Sequence, residues 1–209
     1  MILDLHSHRP APYPEGVISL GELGARLMEG QLYSAGIHPW DTATEVSPES
    51  WRRLEELAAM KQVVAIGECG VDLTKGAPMF RQLQVFRRQV ELSEQVGKPL
   101  IIHCVKAADI ILGLKRDLNP AQRWIIHGFR GKPELARQLT DKGISLSFGE
   151  KFTPDTLLGM PGDMIFAETD ESVLTIEEII GSLSVAANRD LLPDIKGNIA
   201  ALLGAPLDS

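Results

Sequence analysis

A chain of 209 residues, 44% hydrophobic and 23% charged, has the make-up of one globular domain spanning 1–209. Its net charge of −7 excludes bulk attraction to a polyanion, so any contact with nucleic acid must come from a local site or from metal ions. Two cysteines, Cys69 and Cys104, exclude a disulfide framework, no apolar run nears the roughly 20 residues of a membrane span, and MILDLHSHRPAP has no basic-then-apolar leader, so a cytoplasmic location without membrane contact is expected.

The first apolar run, Met1–Leu5, reads as a strand that breaks into His6-Ser7-His8. From Glu15 to Gly30 the chain offers at most a short strand and one helix. A second run, Leu32–Ile37, ends in His38-Pro39. Ser50 to Met60 spaces Trp51, Leu54, Leu57 and Ala58 as one face of a helix. Val63–Gly67 is a strand followed by Glu68. Met79–Val96 is a helix with Gly97 as its stop. Leu100–Ile102 leads into His103, and Trp124–Ile126 into His127. A helix over Lys132–Lys142 precedes the strand Ile144–Phe148. Met164–Ala167 then leads into Glu168-Thr169-Asp170, and Thr175–Ser182 closes the series as a helix. Strands alternating with helices predict an α/β protein with a parallel sheet, as a TIM-type (β/α) barrel or an open doubly wound sheet. Periodicity alone does not choose between them.

The polar residues carry the chemical argument. All five histidines, with Glu68 and Asp170, fall where a predicted strand ends. In a parallel barrel or sheet those ends share one face, and active sites form there. His6 and His8 are two apart and point to the same side, so both can bind one ion. His103 and His127 can bind a second ion, and Glu68 has two oxygens with which to bridge. Imidazole and carboxylate ligands suit Zn²⁺, Mn²⁺ or a similar ion. Asp170 fits a ligand that also takes the proton of an attacking water. Glu168 could orient a ligand, although packing explains it equally well. Cys69 and Cys104 each follow a proposed ligand, so strand alternation turns them away. A lone histidine is more often a hydrogen-bonded core residue, and His-x-His alone is weak. The combination outweighs a merely polar barrel mouth.

In order, Asp4-Leu5-His6-Ser7-His8, Gly36-Ile37-His38-Pro39, the stretch AIGECGVD from Ala65 to Asp72, Ile102-His103-Cys104, His127-Gly128-Phe129 and Glu168-Thr169-Asp170 resemble the TatD family. That family belongs to the amidohydrolase-like metal-dependent hydrolases. Gly197-Asn198 is similar to its C-terminal Asn-containing helix. The resemblance implies a distorted TIM barrel with two divalent ions, Zn, Mg or Mn. His6, His8 and Asp170 would bind one, His103 and His127 the other, and Glu68 would bridge. It implies a deoxyribonuclease, often a 3′–5′ exonuclease, with His38 near the substrate phosphate.

Three departures bear on the substrate side. The chain is shorter than its relatives, which predicts a barrel lacking or reducing its second strand-helix unit. Lys106 stands where the family's His-Cys-Arg places an arginine, so a point charge replaces a fork. Glu171-Ser172-Val173-Leu174 replaces a proline-rich loop. Lys106, Arg130 and Lys132 could form a basic rim or simply start solvated helices. The expected function is a metal-dependent phosphodiesterase acting on DNA. The alternatives are hydrolysis of a small phosphoester, amide or ester, and a non-catalytic metal-binding barrel.

Overall fold

The computed structural model describes residues 1–204. Eight strands are present: β1 Asp4–Ser7, β2 Gly16–Ser19, β3 Leu32–Ala35, β4 Val63–Asp72, β5 Leu100–Val105, β6 Trp124–Ile126, β7 Ile144–Phe148 and β8 Ile165–Ala167. They follow one another in a single sheet in chain order. Just past β8, Asp170 forms a parallel bridge back to Ser7 of β1. Six α-helices accompany them: α1 Pro48–Ala59, α2 Met79–Val96, α3 Ala108–Leu118, α4 Pro133–Thr140, α5 Ile176–Ala187 and α6 Leu192–Leu203. This is a TIM-type barrel, which resolves the choice the periodicity left open.

The shortened second unit is seen in detail. β2 is present with four residues, but residues 20–31 hold only turns and irregular chain. Gly21, Gly24 and Gly30 interrupt this stretch and leave no run long enough to nucleate a helix. Side chains hold it instead. Arg53 Nε donates to Leu23 O at 3.0 Å, and Tyr33 Oη accepts from Met28 N at 3.0 Å. Between β7 and β8 the connection is again not an α-helix but two 3-10 turns, Pro154–Leu157 and Gly162–Met164.

The contacts of the chain divide it into two compact units. One is Ser19–Ile125; the other is Met1–Ile18 with the chain from Ile126 on. In the first, Ser47 caps α1 by accepting from Ser50 N, with Pro48 in the first turn, and Trp51, Leu54, Leu57 and Ala58 turn inward. α2 ends at Gly97 in the left-handed conformation. Phe86 of α2 and Trp124 of β6 meet edge to face at 5.5 Å, both fully buried. Each such aromatic stabilises the unit by roughly 1.5–3 kcal/mol through burial. In the second unit, Thr175 and Glu178 form a capping box that starts α5. Asn198 of α6 donates from Nδ2 to Gly162 O at 2.8 Å and to Ile165 O at 2.7 Å. It thereby fixes the entry to β8, the strand that leads to Asp170. Among the described residues, no helix is long and apolar enough to cross a membrane.

Candidate metal-binding clusters

In the Ser19–Ile125 unit the site is built by two neighbouring strands. β4 and β5 are in parallel register with Gly70 opposite His103. Glu68 and Asp72 flank Gly70 at two residues on either side, so both point to the same side as each other. Gly70 has φ +147°, and a Cβ there would lie 2.0 Å from His103 O, so only glycine lets the strands approach this closely. The result is an imidazole held between two carboxylates. His103 Nδ1 lies 2.7 Å from Glu68 Oε1, and His103 Nε2 lies 3.2 Å from Asp72 Oδ2. His38, just beyond β3, brings Nε2 to 3.1 Å from the same Glu68 oxygen. His38, Glu68 and His103 each offer one ligand atom within 4.8 Å of the others.

Asp72 is the support of this cluster. Its Oδ1 accepts from Thr74 N, Thr74 Oγ1 and Lys75 N, and its Oδ2 accepts from Trp40 Nε1 at 2.8 Å. Burial alone would raise its pKa, but the hydrogen bonds from Thr74, Trp40 and His103 outweigh that and hold it below the usual carboxylate range. An ionised Asp72 favours a proton on His103 Nε2, which leaves Nδ1 with its lone pair on the Glu68 side.

The second cluster lies in the other unit. His6 of β1 is fully buried, and its ring lies 4.4 Å from the ring of His127, which directly follows β6. His6 Nε2 and His8 Nε2 stand 3.9 and 3.6 Å from Asp170 Oδ1. These distances exceed a hydrogen bond and approach the spacing of two ligands that each sit about 2 Å from a shared ion. Asp170 has φ +52°, a strained conformation for a non-glycine residue. It is held there by Asp170 N donating to His6 O at 2.9 Å and by His8 N donating to Asp170 O at 3.0 Å. His127, Glu168 and Asp170 form a further group within 4.8 Å. Glu168 Oε1 is 3.4 Å from His127 Nδ1 and accepts from Gly128 N at 2.7 Å. Burial would raise the Glu168 pKa, but the His127 hydrogen bond and the charges of His127 and His6 outweigh it and lower it.

Behind this second cluster sits Asp4, two residues before His6 and fully buried. It accepts from Thr169 N, Thr169 Oγ1, Tyr13 Oη and His6 N. All four donors are neutral. Burial therefore prevails and raises its pKa to about 7, with the Glu168 charge adding to the rise.

The sequence-predicted residues group as follows. His6, His8 and Asp170 come together, and Glu68 comes together with His103. His127 joins Glu168, which proves to be a buried carboxylate with polar partners and not a packing residue. His38, expected at the substrate phosphate, lies against Glu68. Lys106 is exposed just past β5, at φ +54°, and Arg130 lines a cleft beside Asp170 with Lys151 and Ser172. Cys69 is buried with Sγ toward Ile101 O, away from the ligands as alternation requires. Ser7, between the two histidines, shares a 2.8 Å hydrogen bond with Thr169. Sequence reasoning missed Asp4, Asp72 and Trp40 as parts of the site. A signal existed for the first two: Asp4 precedes His6, and Asp72 follows Glu68, by even spacings that put them on the ligand side. Nothing in the sequence marked Trp40.

The profile of the family described as TatD related DNase matches residues 17–178. The chain is 36% identical over 154 residues to the metal-dependent hydrolase YabD of Bacillus subtilis, covering 69% of this chain and 60% of that protein. It is 32% identical over 161 residues to the 3′–5′ ssDNA/RNA exonuclease TatD of Cronobacter sakazakii, covering 72% of this chain and 60% of that protein. The matches thus span about 60% of the length of these curated relatives. In fold, it superposes on the crystal structure of YjjV, a TatD homologue from Escherichia coli, with a TM-score of 0.82 at 18% identity over 98% of both chains. With a family profile over most of its length and every strand of the barrel in place, the chain belongs to the TatD family of metal-dependent hydrolases.

Proposed function

We infer that the protein is a divalent-metal-dependent phosphodiesterase that degrades single-stranded nucleic acid from one end. The observation that carries this reading is the donor chemistry of the clusters: carboxylates set among imidazoles at the ends of strands, with a buried or hydrogen-bonded carboxylate behind each. That set fits Zn²⁺, Mn²⁺ or Mg²⁺. Following the family, His6, His8 and Asp170 would hold one ion, His103 and His127 a second, and Glu68 would bridge. Bound ions would supply Lewis acidity to a phosphoryl oxygen and make water acidic enough to attack at neutral pH.

The chain's own residues divide the remaining work. Asp170 accepts the proton of the attacking water. His38 Nδ1 accepts from Trp40 N at 3.1 Å, so the neutral ring carries its proton on Nε2. Nε2–H is then a donor, shared here with Glu68 Oε1 at 3.1 Å and suited to a phosphate oxygen when that carboxylate is engaged by an ion. Lys106 and Arg130 add positive charge for a chain whose net charge of −7 offers none in bulk. The cytoplasm, where both thiols stay reduced, is the location this reading assigns.

The test is incubation with Mg²⁺, Mn²⁺ or Zn²⁺ and a 5′-labelled single-stranded oligonucleotide, beside bis-p-nitrophenyl phosphate as a generic diester. Progressive shortening of the oligonucleotide from its 3′ end is expected. Turnover of the small ester with an intact oligonucleotide would move the substrate to small phosphoesters. Bound metal with no turnover of either would make the protein a metal-binding barrel.

A further inference from the structure

Trp40 is unusual among the three tryptophans of the chain. Trp51 and Trp124 are buried, at 7% and 0% exposure, whereas Trp40 is 44% exposed beside the Glu68 cluster. Its ring lies 4.6 Å from that of His38 and 5.6 Å from that of His103. Exposing so much aromatic surface forgoes burial energy, yet the ring is not loosely held. Its Nε1 donates to Asp72 Oδ2 at 2.8 Å, and its backbone N donates to His38.

The loop that follows β4 is shaped around this ring. Lys75 Nζ stands 4.2 Å from the ring centroid. Gly76, at φ +85°, permits the approach, since a Cβ there would lie 2.6 Å from Pro39 O. Gln82 of α2 is buried and locks the loop from beneath. Its Nε2 donates to the carbonyls of Asp72, Lys75 and Ala77, and its Oε1 accepts from Asp72 N. The ammonium lies over a ring face as a cation–π partner. An exposed, rigid ring of this kind can take a nucleobase on a face, with the lysine turned toward the adjoining phosphate.

We propose that Trp40 is a stacking platform for a nucleobase of the substrate, with Lys75 moving from over the ring to the adjoining phosphate. The proposal rests on the nucleic-acid reading above and makes it more specific. It also separates two roles for Trp40. One is stacking, which needs the ring. The other is holding Asp72 against His103, which needs the indole N–H.

The experiment begins with intrinsic fluorescence, excited at 295 nm, read as the difference between the original chain and Trp40→Phe so that the signal of Trp40, the most exposed of the three tryptophans, is isolated. Titration with deoxyadenosine 5′-monophosphate should give a saturable change that deoxyribose 5-phosphate, lacking the base, does not. Absence of a saturable change, or an equal change with both, would overturn the proposal. In steady-state kinetics on a single-stranded oligonucleotide, Trp40→Ala should raise KM about tenfold, within the range expected for losing one stacked base. Trp40→Phe keeps a ring but loses the indole N–H, so at saturating metal its KM should stay within about twofold while any loss appears in kcat. If Trp40→Phe raised KM as much as Trp40→Ala, the residue would serve only Asp72 and the proposal would fall. Should the oligonucleotide resist cleavage altogether, the phosphodiesterase reading would fail, while the fluorescence titration would still decide the stacking.

Discussion

The two clusters are backed by the same residue type with opposite outcomes. Asp4, behind His6, and Asp72, beside His103, are both nearly inaccessible to solvent, at 0% and 2% exposure. Yet Asp4 is pushed up to about 7 and Asp72 is held below the usual range. Asp4 lies deep among neutral donors near a second carboxylate. Asp72 is also raised by burial, but the hydrogen bonds from Thr74, Trp40 and His103 together outweigh that desolvation. Exposure alone does not set a carboxylate's charge; the balance between desolvation and its hydrogen-bond donors does. The Asp4 region is therefore built as a buried brace, and the Asp72 region as a charged hinge on a ligand.

The largest effects should come from the presumed ligands. His103→Ala and Glu68→Ala are expected to lower hydrolysis by about a thousandfold or more while circular dichroism stays unchanged. Near-normal turnover in either would end the binuclear assignment. Next, Asp72→Asn keeps the shape but weakens the partner of His103. Metal affinity, measured by competition with a chelator, should fall about 10- to 100-fold, as is usual for an outer partner of a metal-binding histidine.

Asp4 should behave differently, through stability and its pH dependence. Its folded pKa of about 7 lies above the ordinary aspartate value of 3.8, so the folded state binds an extra proton between those values. The stability it contributes is complete below about pH 4 and is lost as pH rises through 7. Asp4→Asn carries no such slope. In metal-free protein, urea titrations at pH 5 and pH 8 should therefore show the variant gaining on the original chain at the higher pH. Parallel losses at both values would contradict the buried-brace account.

The smallest effect concerns the thiols. Burial pushes Cys69 up beyond the ordinary thiol range and Cys104 up to about 11, so little thiolate exists at pH 8. A thiol-reactive chromogenic disulfide should label the folded protein slowly and both cysteines at once on unfolding. Rapid labelling of the folded protein would show that the strands bearing the ligands open readily.

Much of this was legible in the sequence, and the failures have physical causes. Met79–Val96, Trp124–Ile126 and Ile144–Phe148 match the observed elements because each is a clean period bounded by a stop signal. β4 runs to Asp72, five residues beyond the expected end, because Gly67, Glu68 and Gly70 break the apolar pattern while the backbone continues. α3 has no side-chain cap to announce it, and its one buried face rests on only two residues, Ile111 and Leu114. β2 could be anticipated only as a short possibility. At the site, the ligands stood out by recurring at strand ends. Asp4 and Asp72 did not, because a single carboxylate near a strand carries no sign of the donors that surround it. Those donors come from Thr169, 165 residues along the chain from Asp4, and from Trp40, 32 residues before Asp72.

Gln82 ties α2 to the loop after β4 by four hydrogen bonds, so strand, loop and helix are one mechanical piece. Glu68 and Asp72 lie at one end of that piece and Lys75 along it. An evolutionary change in substrate need not touch the ligands, because the loop can be recut between two fixed anchors, Asp72 and Gln82. Residues 73 to 77 are in that sense an exchangeable segment: the same hydrolytic chemistry could be offered a different substrate by altering five residues whose backbone is already held in place.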